Sequence, residues 1–170
     1  MENKERNNGA NNSAKNIAVS VLVAGLQSGK VLAARGIYNS CFPRYEKKDI
    51  ATVYGEFDYS RVQERLPRTR FNFQSEKIKL QGYYYNSIAS KGLVVVCHGM
   101  HAGADDYIPF IEYLVNKGFD VFAYDCRGTY ASEGDSTVGM CTPLVNLDHA
   151  LTYIEKNKEL SRYPRFLFGH

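Results

Sequence analysis

The chain has 170 residues, of which 44% are hydrophobic and 23% are charged. This composition is typical of a globular protein with one domain and excludes disordered and collagen-like chains. The net charge is only +3, and the lysines and arginines are scattered. No nucleic-acid partner is therefore indicated.

The cysteine pattern argues against a structural zinc site or a thioredoxin-type motif, because none of the four cysteines forms a CxxC pair. Two of them, Cys97 and Cys126, lie at the ends of predicted buried strands. We interpret these as small apolar residues in a reduced compartment and expect a cytoplasmic protein.

The first 67 residues are predicted to precede the core. Residues 1–16 are polar and rich in asparagine, which predicts a disordered tail. A helix is expected over residues 17–38, whose apolar run is shorter than the roughly 20 residues that a membrane span needs. We favour an amphipathic helix packed on the domain; a secretory signal or membrane contact by 17–38 is the alternative. Residues 40–67 are polar and irregular and are interpreted as a connecting arm.

The region from residue 68 onward begins with a predicted hairpin. Apolar and polar residues alternate over 70–74 and 78–86, on either side of a turn at 75–77. The next run, Leu93–Cys97, is apolar without alternation, as in a strand buried on both faces of a parallel sheet. The hairpin therefore leads into a mostly parallel sheet.

Two helix–strand units follow this strand. The first helix is expected over 105–117 with Asp105 as N-cap, and the second opens with Thr142 as cap and Pro143 in its first turn. The accompanying strands are expected at 119–124 and 166–168. Parallel strands joined by helices predict an α/β fold with right-handed crossovers.

All three predicted parallel strands end at the same edge of the sheet, which is where open α/β sheets bind ligands. This edge collects His98-Gly99-Met100, the loop 125–128 and Gly169-His170. A His-Gly-x turn after a central strand can supply a backbone N–H that holds an oxyanion. Gly169-His170 matches the first two positions of the G-x-S-x-G nucleophile elbow.

Residues 68–170 resemble the N-terminal half of the α/β-hydrolase fold, in the bacterial branch near monoglyceride lipases and serine aminopeptidase-like hydrolases. The resemblance is carried by three motifs: Val95–Met100, Phe122–Gly128 with Ser132-Glu133-Gly134 after it, and Leu167–His170. The family often has glycine at the position of Tyr130. The expected domain at 68–170 is thus a truncated α/β-hydrolase core that ends at the elbow.

The resemblance implies a serine hydrolase that acts on a small acyl substrate (an ester, thioester or amide) through an acyl-enzyme, without cofactor or metal. It makes the Met100 N–H an oxyanion donor and Gly99 the residue that permits the turn. The triad runs serine, acid, histidine in this family, so all three are expected beyond residue 170, and we expect the chain to be inactive alone.

Other residues at this edge receive supporting roles. His98 and His101 are candidate substrate-binding residues, although a structural role for His98, with its ring hydrogen-bonded to backbone, is favoured over proton transfer. The resemblance makes Asp125, Arg127 and Gly128 a brace of the neighbouring loop, and an Asp125–Arg127 ion pair is one form that this brace can take. Gly169 and His170 are expected to precede the nucleophile.

Two alternatives remain open. A non-catalytic remnant or fragment fits the missing triad. A dinucleotide-binding module is less well supported, because the turn His98–Gly103 lacks the G-x-G-x-x-G pattern. In addition, Asp105 and Asp106 would place negative charge where the pyrophosphate sits.

Overall fold

The computed structural model describes residues 20, 24–38, 40–47 and 58–170, which fall into two compact units, Met1–Cys41 and Phe42–His170. In the first unit, residues 24–38 form a helix (α1), as predicted, and all their side chains are exposed. Within the described residues, no helix is long and apolar enough to cross a membrane. The predicted tail at 1–16 lies outside the described part of the chain.

The second unit is built on a five-stranded sheet with the order β1-β2-β4-β3-β5. The strands are β1 (Thr69–Ser75), β2 (Ile78–Tyr85), β3 (Leu93–Cys97), β4 (Asp120–Tyr124) and β5 (Arg165–Gly169). Strands β1, β2 and β4 pair antiparallel, whereas β3 pairs parallel with both β4 and β5. The predicted hairpin that leads into a parallel sheet is therefore confirmed.

The helices differ from the prediction at their starts. A short 3-10 helix, Ala104–Tyr107, precedes the α-helix α2 (Ile108–Asn116). The expected N-cap role of Asp105 is wrong: Gly103 occupies that position, and its N–H donates to Asp106 at 2.8 Å. Asp105 is instead buried and paired with Arg68 and Lys47. A short side chain of this kind can cap a helix or neutralise buried cations, and sequence spacing does not distinguish the two.

The second long helix, α3 (Thr142–Lys156), begins close to the predicted residue. Cys141, and not Thr142, is at its N-cap position, and no side chain caps the helix there. Pro143 lies in the first turn, as expected, because its missing N–H would have no partner there in any case.

Hydrophobic side chains pack on both faces of the sheet. One cluster places Ile108 and Ile111 of α2 against the sheet, and the other places Ala150 and Ile154 of α3 on the opposite face. The segment around the 3-10 helix Tyr59–Arg61 contributes Val62 and Leu66, each 1% exposed, to the α2 side. The interpretation of residues 40–67 as a mere connecting arm is therefore wrong for this part, which belongs to the core.

The sheet register brings the predicted site residues together. Cys97 at the end of β3 is paired with Tyr124 of β4 and with Gly169 of β5. All three parallel strands therefore end at one edge, and β5 lies on the side of β3 opposite β4. As predicted, the residues after β3 and the last residues of β5 are neighbours, although about 70 positions separate them.

Candidate active site

The turn after β3 exposes a backbone donor. Gly99 donates its N–H to the hydroxyl of Tyr107 at 3.1 Å. The next N–H, that of Met100, makes no hydrogen bond to any described residue, and Met100 is 64% exposed. Met100 therefore has a backbone donor without a partner in the described chain, as an oxyanion-binding turn requires.

Gly99 allows the turn to lie close to His170. Its own backbone is not in the left-handed region. A Cβ at Gly99 would lie 3.2 Å from both the Nδ1 and the carbonyl oxygen of His170. The left-handed residue of this turn is His101, with φ of 64°. A histidine in this conformation is uncommon, and such residues concentrate at binding and catalytic sites.

His98 braces this turn through its ring. Its Nε2 accepts a hydrogen bond from the Cys126 N–H at 2.9 Å, so the ring proton lies on Nδ1 and is donated to the Gly99 carbonyl at 2.8 Å. The ring is neutral in this arrangement, and burial lowers the pKa of His98. Both ring nitrogens are occupied, as expected for a structural histidine; substrate binding by His98 stays a prediction.

The burial of neutral His98 predicts a loss of stability in mild acid. Because its pKa is lower in the folded protein, the unfolded chain takes up the proton first as the pH falls below about 6.5. The free energy of unfolding should then decrease by at most about 1.4 kcal/mol per pH unit from this residue. Urea unfolding of wild type and His98→Asn between pH 7.5 and 5.5 measures this change in the free energy of unfolding with pH. Equal pH slopes in the two proteins would contradict the expectation.

Asp125 joins three segments below the turn. Its carboxylate accepts hydrogen bonds from the Ala104 N–H at 2.8 Å, the Tyr83 hydroxyl at 3.0 Å and the Ala131 N–H at 3.2 Å. The residue is fully buried, and this burial raises the pKa of its carboxyl group. Asp125 thereby positions the loops on both sides of the candidate site.

The suggested ion pair between Asp125 and Arg127 is not formed in the described structure. The backbone N–H of Arg127 instead donates to Asn146 Oδ1 of α3 at 2.9 Å. Gly128 follows with φ of 66°, and its N–H donates to the Glu133 carbonyl at 2.9 Å. The loop is therefore held by backbone hydrogen bonds and a left-handed glycine.

Tyr130 occupies a position that favours glycine, since its φ is 42°. Its hydroxyl donates to Asp106 at 2.6 Å, and its ring lies over Gly103, where a Cβ would come within 2.2 Å of the ring. The ring and hydroxyl contacts stabilise a backbone conformation that an L-residue rarely adopts. The departure from the family pattern at this position thus has a local compensation.

Tyr107 connects the turn to the end of β5. Besides accepting from Gly99, its hydroxyl lies 2.6 Å from Nδ1 of His170. Because the Tyr107 oxygen already accepts the Gly99 hydrogen, its own proton is available to His170. Sequence reasoning placed Tyr107 only within a helix, and no sequence signal distinguishes it from other helix residues.

A cavity of about 240 Å³ opens beside the turn. The predicted residues that line it are His98, Gly99, Met100, His101, Arg127 and His170. Asp125, Gly128 and Gly169 lie outside the lining. Sequence reasoning missed Phe42 and Tyr45 of the arm on one side, and Met140 and Pro143 at the start of α3.

One serine–histidine contact lies elsewhere in the described structure. Ser75 Oγ is 3.1 Å from His149 Nδ1, but Nδ1 also lies 2.9 Å from the Val145 carbonyl. Ser75 is 1% exposed and accepts a further hydrogen bond from Asn146 at 3.0 Å. This buried serine is inaccessible to a substrate, so the contact links β1 to α3 and does not form a catalytic pair.

Solved structures share this architecture at low sequence identity. An esterase from Pyrococcus furiosus is 23% identical with a TM-score of 0.56, over 66% of this chain and 43% of the esterase. A soluble variant of monoglyceride lipase from Saccharomyces cerevisiae is 17% identical with a TM-score of 0.54, over 61% and 35% of the two chains. Est1E from Butyrivibrio proteoclasticus, solved with ferulic acid, is 19% identical with a TM-score of 0.51, over 59% and 42%.

These similarities define the fold: the five-stranded sheet is part of the fold of the α/β hydrolases. Residues 88–170 match the family model described as serine aminopeptidase, S33. The comparison with curated proteins found no match. The chain spans less than half the length of each of the three structures above.

Proposed function

We propose that residues 42–170 are the oxyanion-donating part of a serine hydrolase that cleaves an ester, thioester or amide through an acyl-enzyme. The observation that carries the proposal is the Met100 N–H, which has no partner in the described chain and belongs to a turn that packs against His170. The esterase and lipase relatives favour an ester as the substrate.

In this mechanism the Met100 N–H acts on the carbonyl oxygen of the substrate. When the serine oxygen bonds to the carbonyl carbon, its proton passes to the triad histidine expected beyond residue 170, and the carbonyl oxygen becomes an oxyanion. The Met100 N–H donates a hydrogen bond that is strongest at this stage. In the elbow pattern the nucleophile follows the position of His170, and its neighbour supplies the second donor. His98 and Tyr107 would hold the turn in place, without moving a proton of the substrate.

The coding sequence after codon 170 gives the first test. We expect an in-frame serine, any residue and a glycine to follow His170, and the polypeptide 1–170 alone to remain unlabelled by a fluorophosphonate and inactive on p-nitrophenyl esters. Labelling of 1–170 would contradict the assignment of the nucleophile to a later residue. A stop codon would favour the alternative of a non-catalytic fragment.

A backbone substitution tests the donor itself in the protein that carries the elbow. Met100→Pro removes the N–H, and the φ of Met100 is not in the positive range that proline excludes. Losing one oxyanion donor should lower kcat by about 10²- to 10³-fold. Met100→Leu keeps the N–H and serves as the matched control, with kcat expected within about twofold. An unchanged kcat for Met100→Pro would refute the role of this N–H.

A further inference from the structure

The arm residues 42–45 are attached to the loop that follows β4. Tyr45 donates its N–H to the Gly128 carbonyl at 2.9 Å and accepts from the Tyr130 N–H at 2.9 Å. Phe42 accepts from the Thr137 N–H at 3.1 Å. Three backbone hydrogen bonds therefore hold the arm along this loop, as in a short added strand.

Arg44 fixes the arm further through its side chain. Its guanidinium donates to the carbonyl oxygens of Ser132 at 2.8 Å, Gly134 at 3.0 Å and Tyr130 at 2.6 Å. A planar guanidinium with three carbonyl acceptors has one preferred position, so the residues on either side of Arg44 are held in place as well. Arg44 does not line the cavity; Phe42 and Tyr45 do.

The fixed arm forms one wall of the cavity beside the oxyanion turn. The Tyr45 ring lies 4.3 Å, centroid to centroid, from the ring of His101 in that turn. The cavity also contacts the flexible side chains of Met100 and Met140. Among the described residues, Arg127 is the one lining residue with a permanent charge, and the apolar side chains of Phe42, Tyr45, Met100 and Met140 make up a large part of the remaining wall, which suits an apolar chain.

We propose that arm residues 42–45 form a wall of the substrate pocket, and that this pocket takes a short, uncharged apolar chain whose carbonyl oxygen meets the Met100 N–H. The cavity of about 240 Å³ is below the range of about 300–1,000 Å³ that holds drug-sized ligands, which limits the chain to a short one. The assignment rests on the proposed function, because it needs the carbonyl at Met100.

The methionines make the pocket observable in the chain as it exists. The sequence has three, Met1, Met100 and Met140, and the last two line the cavity. In a chain labelled with methyl-¹³C,¹⁵N-methionine, titration with 2-octanone (a neutral ketone that cannot be hydrolysed) should shift the Met100 and Met140 methyl signals and the Met100 amide signal.

Phe42→Ala should weaken the binding of 2-octanone by about tenfold, because one wall loses its ring. Phe166→Ala is the matched control, since Phe166 is also partly exposed but lies outside the cavity lining. In the wild-type chain, NOE contacts between the ketone chain and the Phe42 ring supply a second measurement that needs no variant.

The outcomes separate the two proposals. Absence of shifts at Met100 and Met140 would overturn the pocket, while the kcat of Met100→Pro still tests the oxyanion donor independently. Shifts without Phe42 contacts, or equal affinity in Phe42→Ala and wild type, would overturn the role of the arm alone. Contacts with Phe42 together with weaker binding in its variant would support the assignment.

Discussion

Replacing Gly128 by alanine is expected to lower the free energy of unfolding by about 3 kcal/mol or more. Gly128 has φ of 66°, a conformation that costs an L-residue roughly 1–2 kcal/mol. The added Cβ would lie 2.4 Å from the carbonyl carbon and 2.5 Å from the carbonyl oxygen of Ser136, and 2.8 Å from the Thr137 nitrogen. Backbone atoms cannot rotate away, so the loop must move.

The consequence should extend to the candidate site. The Gly128 carbonyl accepts a hydrogen bond from the N–H of Tyr45, which lines the cavity. The preceding residue, Arg127, also lines the cavity. Urea unfolding of Gly128→Ala measures the loss, and Gly169→Ala is the control, because a Cβ at Gly169 meets nothing within 4 Å. If Gly128→Ala lowers the free energy of unfolding by less than about 1 kcal/mol, as the control does, the loop can change its conformation at little cost in stability, which would contradict the prediction.

The sheet could be predicted from sequence because its signals are local. Leu93–Cys97 is an unbroken apolar run, and both faces of the sheet around it are covered by packed helices. The handedness of crossovers then limits where the next strands can pair. Together, periodicity and topology were enough to bring Met100 and His170 to the same edge.

The supporting contacts of the site could not be predicted, since they join residues far apart in the chain. Tyr107 is one aromatic residue at the start of a helix, and only the fold shows that its hydroxyl meets Gly99 and His170. In the sequence, Tyr45 lies in a polar, irregular segment for which no contact with the site is predicted. Its role depends on hydrogen bonds to Gly128 and Tyr130, which leave no periodic pattern.

Asp105 illustrates a different limit. At the start of a helix pattern, an aspartate is most simply interpreted as an N-cap. The alternative, a buried partner for Arg68 and Lys47, requires knowing that β1 begins beside the 3-10 helix. Charge alone permits both roles, and the tertiary structure decides between them.

The pair formed by Arg68 and Asp105 carries the other large expected effect. The Arg68 side chain is 6% exposed and lies between the rings of Tyr59 and Tyr83, at 3.6 and 4.1 Å from their centroids. It also donates to the Tyr85 hydroxyl at 2.9 Å. Its charge is therefore compensated by a carboxylate and by two aromatic faces.

Arg68→Met should lower the free energy of unfolding by about 3–5 kcal/mol, because Asp105 then stays buried with Lys47 as its remaining cation. Arg65→Met is the matched control: the Arg65–Glu112 pair is exposed, and removing it should cost about 0–1 kcal/mol. Urea unfolding of both variants measures the difference. The double variant Arg68→Met with Asp105→Asn should be more stable than Arg68→Met alone, since no buried charge is left uncompensated.

Equal losses of stability in Arg68→Met and Arg65→Met would mean that burial does not increase the contribution of the Arg68–Asp105 ion pair. Because Asp105 belongs to the 3-10 helix that carries Tyr107, the Arg68→Met variant should also shift the Gly99 amide signal, whereas Arg65→Met should not.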